Sequence, residues 1–333
     1  MYQSRKRNSQ SRFLHLGKRV FRKSYEKCRL CPRKCNINRL NGNDTVKLGF
    51  CGETDQLRVG YIGPHFGEEP PITGRNGSGT VFLSGCSLRC SFCQNHQLSH
   101  QGLSMYVGLE EVFQKLEEII GLHRIHNINF VTPDHFFPHI FRIVSLLRKK
   151  GFNLPVVFNT SGYQSVDLLR TAERYADIYL PDFKYSDSVL AANLSKCPNY
   201  PQVALDTIAE MVSQKGFLDI CRNDGELAQK GVLVRHLIIP GHEDNSINAL
   251  SCLFVEFGRG LPLSLMSQYH PVRHHDDNNL NRFLSEEEFN KVYSHALDLG
   301  FEHLFVQFPD KGNEPHHTIS PYFPDFRQTD PFK

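Results

Sequence analysis

The sequence predicts an α/β protein: a parallel βα barrel or partial barrel behind an N-terminal cysteine-rich module. Three observations carry this. From Thr80 onward, short apolar runs suited to burial in a parallel sheet alternate with helix-patterned segments. Upstream, four cysteines crowd between Cys28 and Cys51. A three-cysteine stretch, SGCSLRCSFCQNHQ (84–97), directly follows the first apolar run. It therefore stands at a strand's C-terminal end, where βα barrels carry their chemistry.

The chain of 333 residues allows one large domain or two smaller ones. With 40% hydrophobic and 22% charged residues it is globular in composition, and no apolar run of membrane-spanning length occurs. Ten cysteines, seven of them in two tight groups, point to metal and a reducing compartment rather than disulfides. A cytoplasmic location follows as the expectation.

Residues 1–27 read as a basic leader. Residues 1–34 hold twelve Lys and Arg against one acid, Glu26, although the whole chain carries only +3. Such an arm suits nucleic acid or an acidic partner, and its Arg-rich, acid-poor composition also fits a transit peptide. A solvated leader is the reading adopted. No apolar segment of signal-peptide type follows, so secretion is not expected.

Residues 28–79 form the cysteine-rich module and its loops. Cys28, Cys31, Cys35 and Cys51 give C-x2-C-x3-C-x15-C, a complete tetrahedral thiolate set, with Gly42, Gly49 and Gly52 permitting tight turns. Zinc and a closed four-cysteine iron–sulfur cluster both fit; ordinary reduced cysteines are the third reading. A metal would staple a module too short to bury its own core. The Gly- and Pro-rich stretch 52–80 reads as loops with a short strand at Leu57–Ile62. Its His65, Glu68 and Glu69 can approach a site, but a solvated loop is the plainer reading.

Residues 80–310 carry the βα repeat. Strands are expected at 80–85, 127–132, 154–160, 177–183, 231–239, 262–269 and 303–308. Residues 109–120 place Val112, Leu116, Ile119 and Ile120 on one helical face. A helix over 137–150 ends in Arg148-Lys149-Lys150 before Gly151, and one over 201–215 opens on Pro201 and stops before Gly216. Ser285 with Glu288 is a capping box for a helix ending at Gly300. Residues 311–333 form a C-terminal tail. Cys197, Cys221 and Cys252 have no partner spacing and read as buried or bystander thiols. The polar run from His270 to Asp277 reads as a solvated loop rather than a second metal site.

Cys86, Cys90 and Cys93 stand at C-x3-C-x2-C spacing. Soft thiolates select zinc, Cu(I) or iron–sulfur centres. This is not ordinary zinc-ribbon spacing. A closed [4Fe–4S] cluster takes four cysteines. Three from one loop would leave one iron open, as catalytic metal sites require. A structural zinc loop with a distant fourth ligand, or a disulfide with a spare thiol, are the alternatives.

This loop, with Phe92 as the aromatic in Cys-x3-Cys-x-aromatic-Cys, closely resembles the signature of the radical S-adenosylmethionine (SAM) superfamily. The motifs CRLCPRKC, FCGE, PHFGEEP, SGCSLRCSFCQN, FVTPDH, NTSGY, IYLPDFKY, RHLIIPG and MSQYHP resemble the branch of pyruvate formate-lyase activating enzyme homologues. They cover residues 28 to about 310. The resemblance implies a (β/α)6 partial barrel and a [4Fe–4S] cluster on Cys86, Cys90 and Cys93. SAM chelates the open iron through its amine and carboxylate and is cleaved by one electron to methionine and a 5′-deoxyadenosyl radical.

The resemblance further implies that Phe92 lies near adenine, that Asn159, Thr160 and Asp182 lie beside SAM, and that Arg235, Leu237 and His270 meet ribose and adenine. The activases place a monovalent cation with an Asp where this chain has Asn159. Their Gly-Gly-Glu after the second strand, which holds the SAM amine, reads here as Val131-Thr132-Pro133, with Thr132 as the stand-in. Partners implied are a reductant such as flavodoxin or ferredoxin and, for an activase, a glycyl radical protein. The alternatives are radical modification of a small molecule, peptide or RNA, and a non-enzymatic iron–sulfur or zinc module.

Overall fold

The computed structural model describes residues 23–40, 48–219, 227–309 and 323–332. Most of the leader, Cys221 and the start of the tail lie outside the described residues. The first long strand, β1 (Arg58–His65), runs antiparallel to β2 (Ser78–Leu83), with His65 opposite Ser78. The two-residue β3 (Met105–Tyr106) pairs with the other edge of β1. From β2 the sheet continues in parallel through β4 (Asn127–Val131), β5 (Val156–Thr160), β6 (Ile178–Pro181) and β7 (Gly231–Val232). A second parallel ladder joins β8 (Val234–Leu237), β9 (Leu263–Met266) and β10 (Leu304–Val306). The Leu233 N–H donates to the Tyr179 carbonyl at 3.1 Å, and the Phe183 N–H to the Arg235 carbonyl at 2.8 Å, so the two ladders form one curved wall.

The six-stranded core implied by the resemblance therefore runs from β2 to β9, and β10 adds a further parallel strand. The expected strand 231–239 breaks at Leu233, where the chain leaves one ladder for the other. The expected strand 57–62 extends to His65 and becomes part of the main sheet.

Alternation within the strands sorts the residues. Val81, Phe130, Phe158 and Tyr179 share one row across β2, β4, β5 and β6. Their aromatic rings pack on one another and on Phe137 of helix Phe137–Lys150, with Phe137 and Phe158 centroids 5.3 Å apart. All are fully buried, and burying each side chain stabilises the fold by about 1.5–3 kcal/mol. The next row, Phe82, Val131, Asn159 and Leu180, faces the barrel interior. Deeper inside, Ile72 of the short helix Pro70–Thr73 packs fully buried with Val157, Ile178, Leu180 and Leu233. The Asn127 amide donates to the Ile72 carbonyl at 2.7 Å, which fixes this plug against the N-terminal ends of the strands.

Outer helices follow the expected patterns. Phe137–Lys150 ends at Gly151, in the left-handed region at φ 98°, and Glu286–Leu299 opens on a complete capping box.

Candidate functional site

After Leu83, Ser84-Gly85 turn the chain out of the barrel. Only glycine fits at position 85: its φ is 74°, and a Cβ there would stand 2.4 Å from the Glu53 side chain. The following loop brings Cys86, Cys90 and Cys93 to the wall of a cavity of about 640 Å³ at the C-terminal strand ends. The loop is tied down from several sides. The Ser91 N–H donates to the Leu194 carbonyl (2.8 Å), and Gln94 donates to the Gln268 carbonyl (2.6 Å). His135 Nε2 lies 2.6 Å from the Ser84 carbonyl, and Ser87 donates to Asp134 (2.7 Å). Burial pushes the Asp134 carboxyl up to about 6, with the Ser87 hydrogen bond pulling the other way.

Other strand ends complete the wall. Phe92, Thr132, Asn159, Thr160, Asp182, Arg235 and Leu237 all line this cavity. Thr132 sits at φ 57°, a strained conformation for a β-branched residue, with its N–H held by the Asn159 carbonyl at 2.8 Å. Thr160 Oγ1 and Ser161 Oγ are buried without a hydrogen-bond partner among the described residues. Asp182 accepts from Lys184 Nζ at 2.5 Å. Burial alone would lower the Lys184 ammonium, but Asp182 and the nearby Cys90 and Cys93 hold it above its usual range. Tyr200 Oη bridges this turn to its neighbour, 2.9 Å from the carbonyls of both Ser161 and Asp182. His270 stands outside this wall. Its ring stacks on Phe323 at 4.3 Å and meets Phe283 edge-on.

Three features escaped the sequence reading. Glu68 and Glu69 are not solvated loop residues: their side chains are 6% and 8% exposed, and both pair with Arg235. Arg235 Nε donates to Glu69 at 2.8 Å, while Asn129 (2.6 Å) and Asn159 (3.4 Å) donate to Glu68. Burial would raise the Glu68 carboxyl, but Arg235, His65 and these hydrogen bonds hold it below its usual range. Lys184 joins the wall from the segment after β6, and Pro324 and Phe332 return from the C-terminal segment to line the same cavity. The PHFGEEP and PDFK motifs marked the first two places; nothing periodic marked the third.

Cys28, Cys31, Cys35 and Cys51 converge around a second, small cavity of about 10 Å³, together with Arg39 and His135. Arg39 is fully buried. It donates to the carbonyls of Glu53 (3.0 Å), His135 (2.8 Å) and Thr54 (2.7 Å), with its Nη1 3.6 Å from Cys28 Sγ. Burial would lower the Arg39 guanidinium, and the neighbouring Cys51, Tyr25 and Cys28 hold it up. This module abuts the three-cysteine loop, since the Cys86 N–H points at the Cys51 carbonyl (3.4 Å) and Arg33 donates to the Ser87 carbonyl (3.0 Å).

The donor set at the large cavity fits an iron–sulfur centre. Burial, then Asp134 and the neighbouring cysteines, pushes the Cys86 thiol up, and burial and Cys90 push Cys93 up to about 11, so thiolates at these positions call for a compensating cationic centre. Among the described residues no three His, Cys, Asp or Glu side chains converge on a single-ion site. A zinc ion gathers all its thiolates at about 2.3 Å from one point, whereas a cluster spreads them over separate irons.

Comparison with known proteins bears on this arrangement. The family model described as the Radical SAM superfamily matches residues 80–250. An uncharacterised protein of Methanocaldococcus jannaschii is 27% identical over 304 residues, covering 87% of this chain and 81% of that one. A domain of pyruvate-formate lyase-activating enzyme from Bacteroides vulgatus superposes with TM-score 0.39 at 15% identity, covering 55% of this chain and 99% of that one. A maturase of the [FeFe]-hydrogenase superposes with TM-score 0.49 at 13% identity, covering 73% of this chain and 54% of that one.

Proposed function

Because this chain belongs to the radical SAM superfamily, we propose that Cys86, Cys90 and Cys93 hold its [4Fe–4S] cluster and that SAM occupies the cavity beside them. Held there, a reduced cluster would supply the one electron needed to cleave SAM to methionine and a 5′-deoxyadenosyl radical able to abstract hydrogen from a substrate. The observation that carries the reading is convergence: three thiols and polar side chains from several strand ends share one cavity.

The chain's own residues position and shield. Asp134 and His135 brace the cysteine loop from beneath through Ser87 and Ser84. Lys184 sets a positive charge beside Cys90 and Cys93, fixed by Asp182. Thr132, Thr160 and Ser161 offer hydroxyls to SAM, and Phe92 and Leu237 give an apolar surface for its adenine. Phe332 lines the cavity, and the plug around Ile72 packs the base of the barrel. Radical SAM enzymes need a reductant such as flavodoxin or ferredoxin, and the half-buried face of the cysteine loop at Arg89 and Cys93–Asn95 is where it approaches. Activation of a glycyl radical partner is the finer reading, carried by resemblance of motifs; it requires a polypeptide loop to enter this cavity. Cys28, Cys31, Cys35 and Cys51 are the second proposed centre; their sulfurs, like those of the three-cysteine loop, do not close on a single-ion site among the described residues, which favours a closed cluster over zinc, with buried Arg39 as its counter-charge.

Anaerobic reconstitution tests the first assignment. Wild type should be brown, with about four irons at this site. The joint change of Cys86, Cys90 and Cys93 to Ala should remove them; a triple variant that keeps its full iron complement contradicts the assignment.

A further inference from the structure

Two carboxylates and one guanidinium meet inside the barrel. Arg235 uses Nε and Nη2 on Glu69 and Nη2 on Glu68. The other groups facing the pair are neutral: Asn129 and Asn159 as amides, and His65, which burial keeps uncharged despite Glu68 at 4.0 Å. Lys184 is engaged by Asp182. One negative charge is therefore left over among the described residues, on side chains over nine-tenths buried. An uncompensated buried charge is costly, and removing one partner from a buried ion pair is strongly destabilising. A lock between the plug and the wall needs only one carboxylate, so the second is surplus to a structural role.

We propose that Glu68 and Glu69 receive an organic cation of the substrate, an ammonium or guanidinium group, inserted into the barrel beneath SAM. This rests on the reading of the cavity as the SAM site. Both glutamates lie on that cavity's wall. So do Thr160 and Ser161, whose buried hydroxyls have no partner among the described residues and keep oxygen lone pairs for N–H groups while their O–H faces SAM. Depth argues for the substrate rather than the SAM amine. Glu68 is held by Asn129, two residues before the end of β4, whereas the cysteines and Thr132 lie beyond the strand ends. A metal ion fits the place poorly, since among the described residues no three His, Cys, Asp or Glu side chains form a metal-binding group there.

The test is calorimetric titration of cluster-loaded full-length protein, saturated with SAM, using n-butylammonium and n-butylguanidinium as probes, with n-butanol and butyrate as controls. One or both cations should bind saturably and the controls should not. Glu69→Gln and Glu68→Gln should each weaken the cation about tenfold or more while leaving SAM affinity unchanged. Cations that bind no better than butanol to wild type overturn the proposal without any variant. So does cation binding untouched by either substitution, or a loss confined to SAM affinity, which would assign the charge to the SAM amine. Failure of the SAM reading itself would appear separately, as wild type that neither binds nor cleaves SAM.

Discussion

Asp182 and Lys184 make the most exposed dependence on a single pair. Removing the carboxylate in Asp182→Ala leaves the Lys184 ammonium buried without its 2.5 Å partner. Neither residue is a thiol, so iron content should not change. SAM affinity should fall about tenfold, the cost of a lost hydrogen bond to a charged group, measurable by equilibrium binding. His139 makes a different prediction. Burial, and secondarily Arg39, push its imidazole down to about 3, and its Nδ1 lies 2.6 Å from Tyr25 Oη. The unfolded chain takes up this proton near pH 6.5 and the folded chain refuses it. Stability is therefore fully present above that pH and is lost as pH falls toward the folded value. Between pH 7.5 and 5.0 the loss from this group is about 2 kcal/mol. His139→Gln should show a shallower decline in urea unfolding than wild type; parallel curves would contradict it. At this scale the sequence exposed Asp182 through its motif but not Glu68 or Glu69. Their burial depends on Arg235, more than 160 residues away, and no local pattern encodes a partner so distant.

Among the elements, the turn after β5 is the most constrained. Gly162 has φ 75°, and a Cβ there would fall 2.0 Å from the Asp182 carbonyl oxygen, with Tyr200 Oη close behind. Gly162→Ala must push apart the β5 and β6 ends that carry Thr160 and Asp182. We expect a loss of about 1–3 kcal/mol in stability together with weaker SAM binding. Unchanged values for both would show that this turn does not position the site. Ser285→Ala, in contrast, should cost about 1 kcal/mol by removing the capping box, with no effect on SAM. The helices were legible because capping residues, terminal glycines and 3.6-residue periodicity are local signals, and Phe137–Lys150 ends where Gly151 indicated. The β1 extension and the split at Leu233 were not. Both are set by which neighbour a strand pairs with.

For the molecule as a whole, the alternation from Thr80 onward was enough to read a parallel barrel, and the resemblance of the three-cysteine loop enough to read the superfamily. The floor and the far wall were beyond reach: the plug at Ile72 and the segment carrying Pro324 and Phe332 come from Gly/Pro-rich or aperiodic stretches. The abutment of the two cysteine sets was equally hidden. It makes the N-terminal module a support for the three-cysteine loop. In the triple Cys86, Cys90 and Cys93 variant, residual zinc or iron should remain and should depend on Cys28, Cys31, Cys35 and Cys51. A folded protein with these four thiols freely titratable would leave them as ordinary cysteines.

The most direct test of the central claim follows SAM itself. Cluster-loaded wild type under strong reductant should form 5′-deoxyadenosine slowly even without substrate, because cleavage needs only the open iron, an electron and bound SAM. The triple cysteine variant should form none. Wild type with its cluster intact that yields no 5′-deoxyadenosine, or a triple variant that matches it, would contradict the assignment of this site.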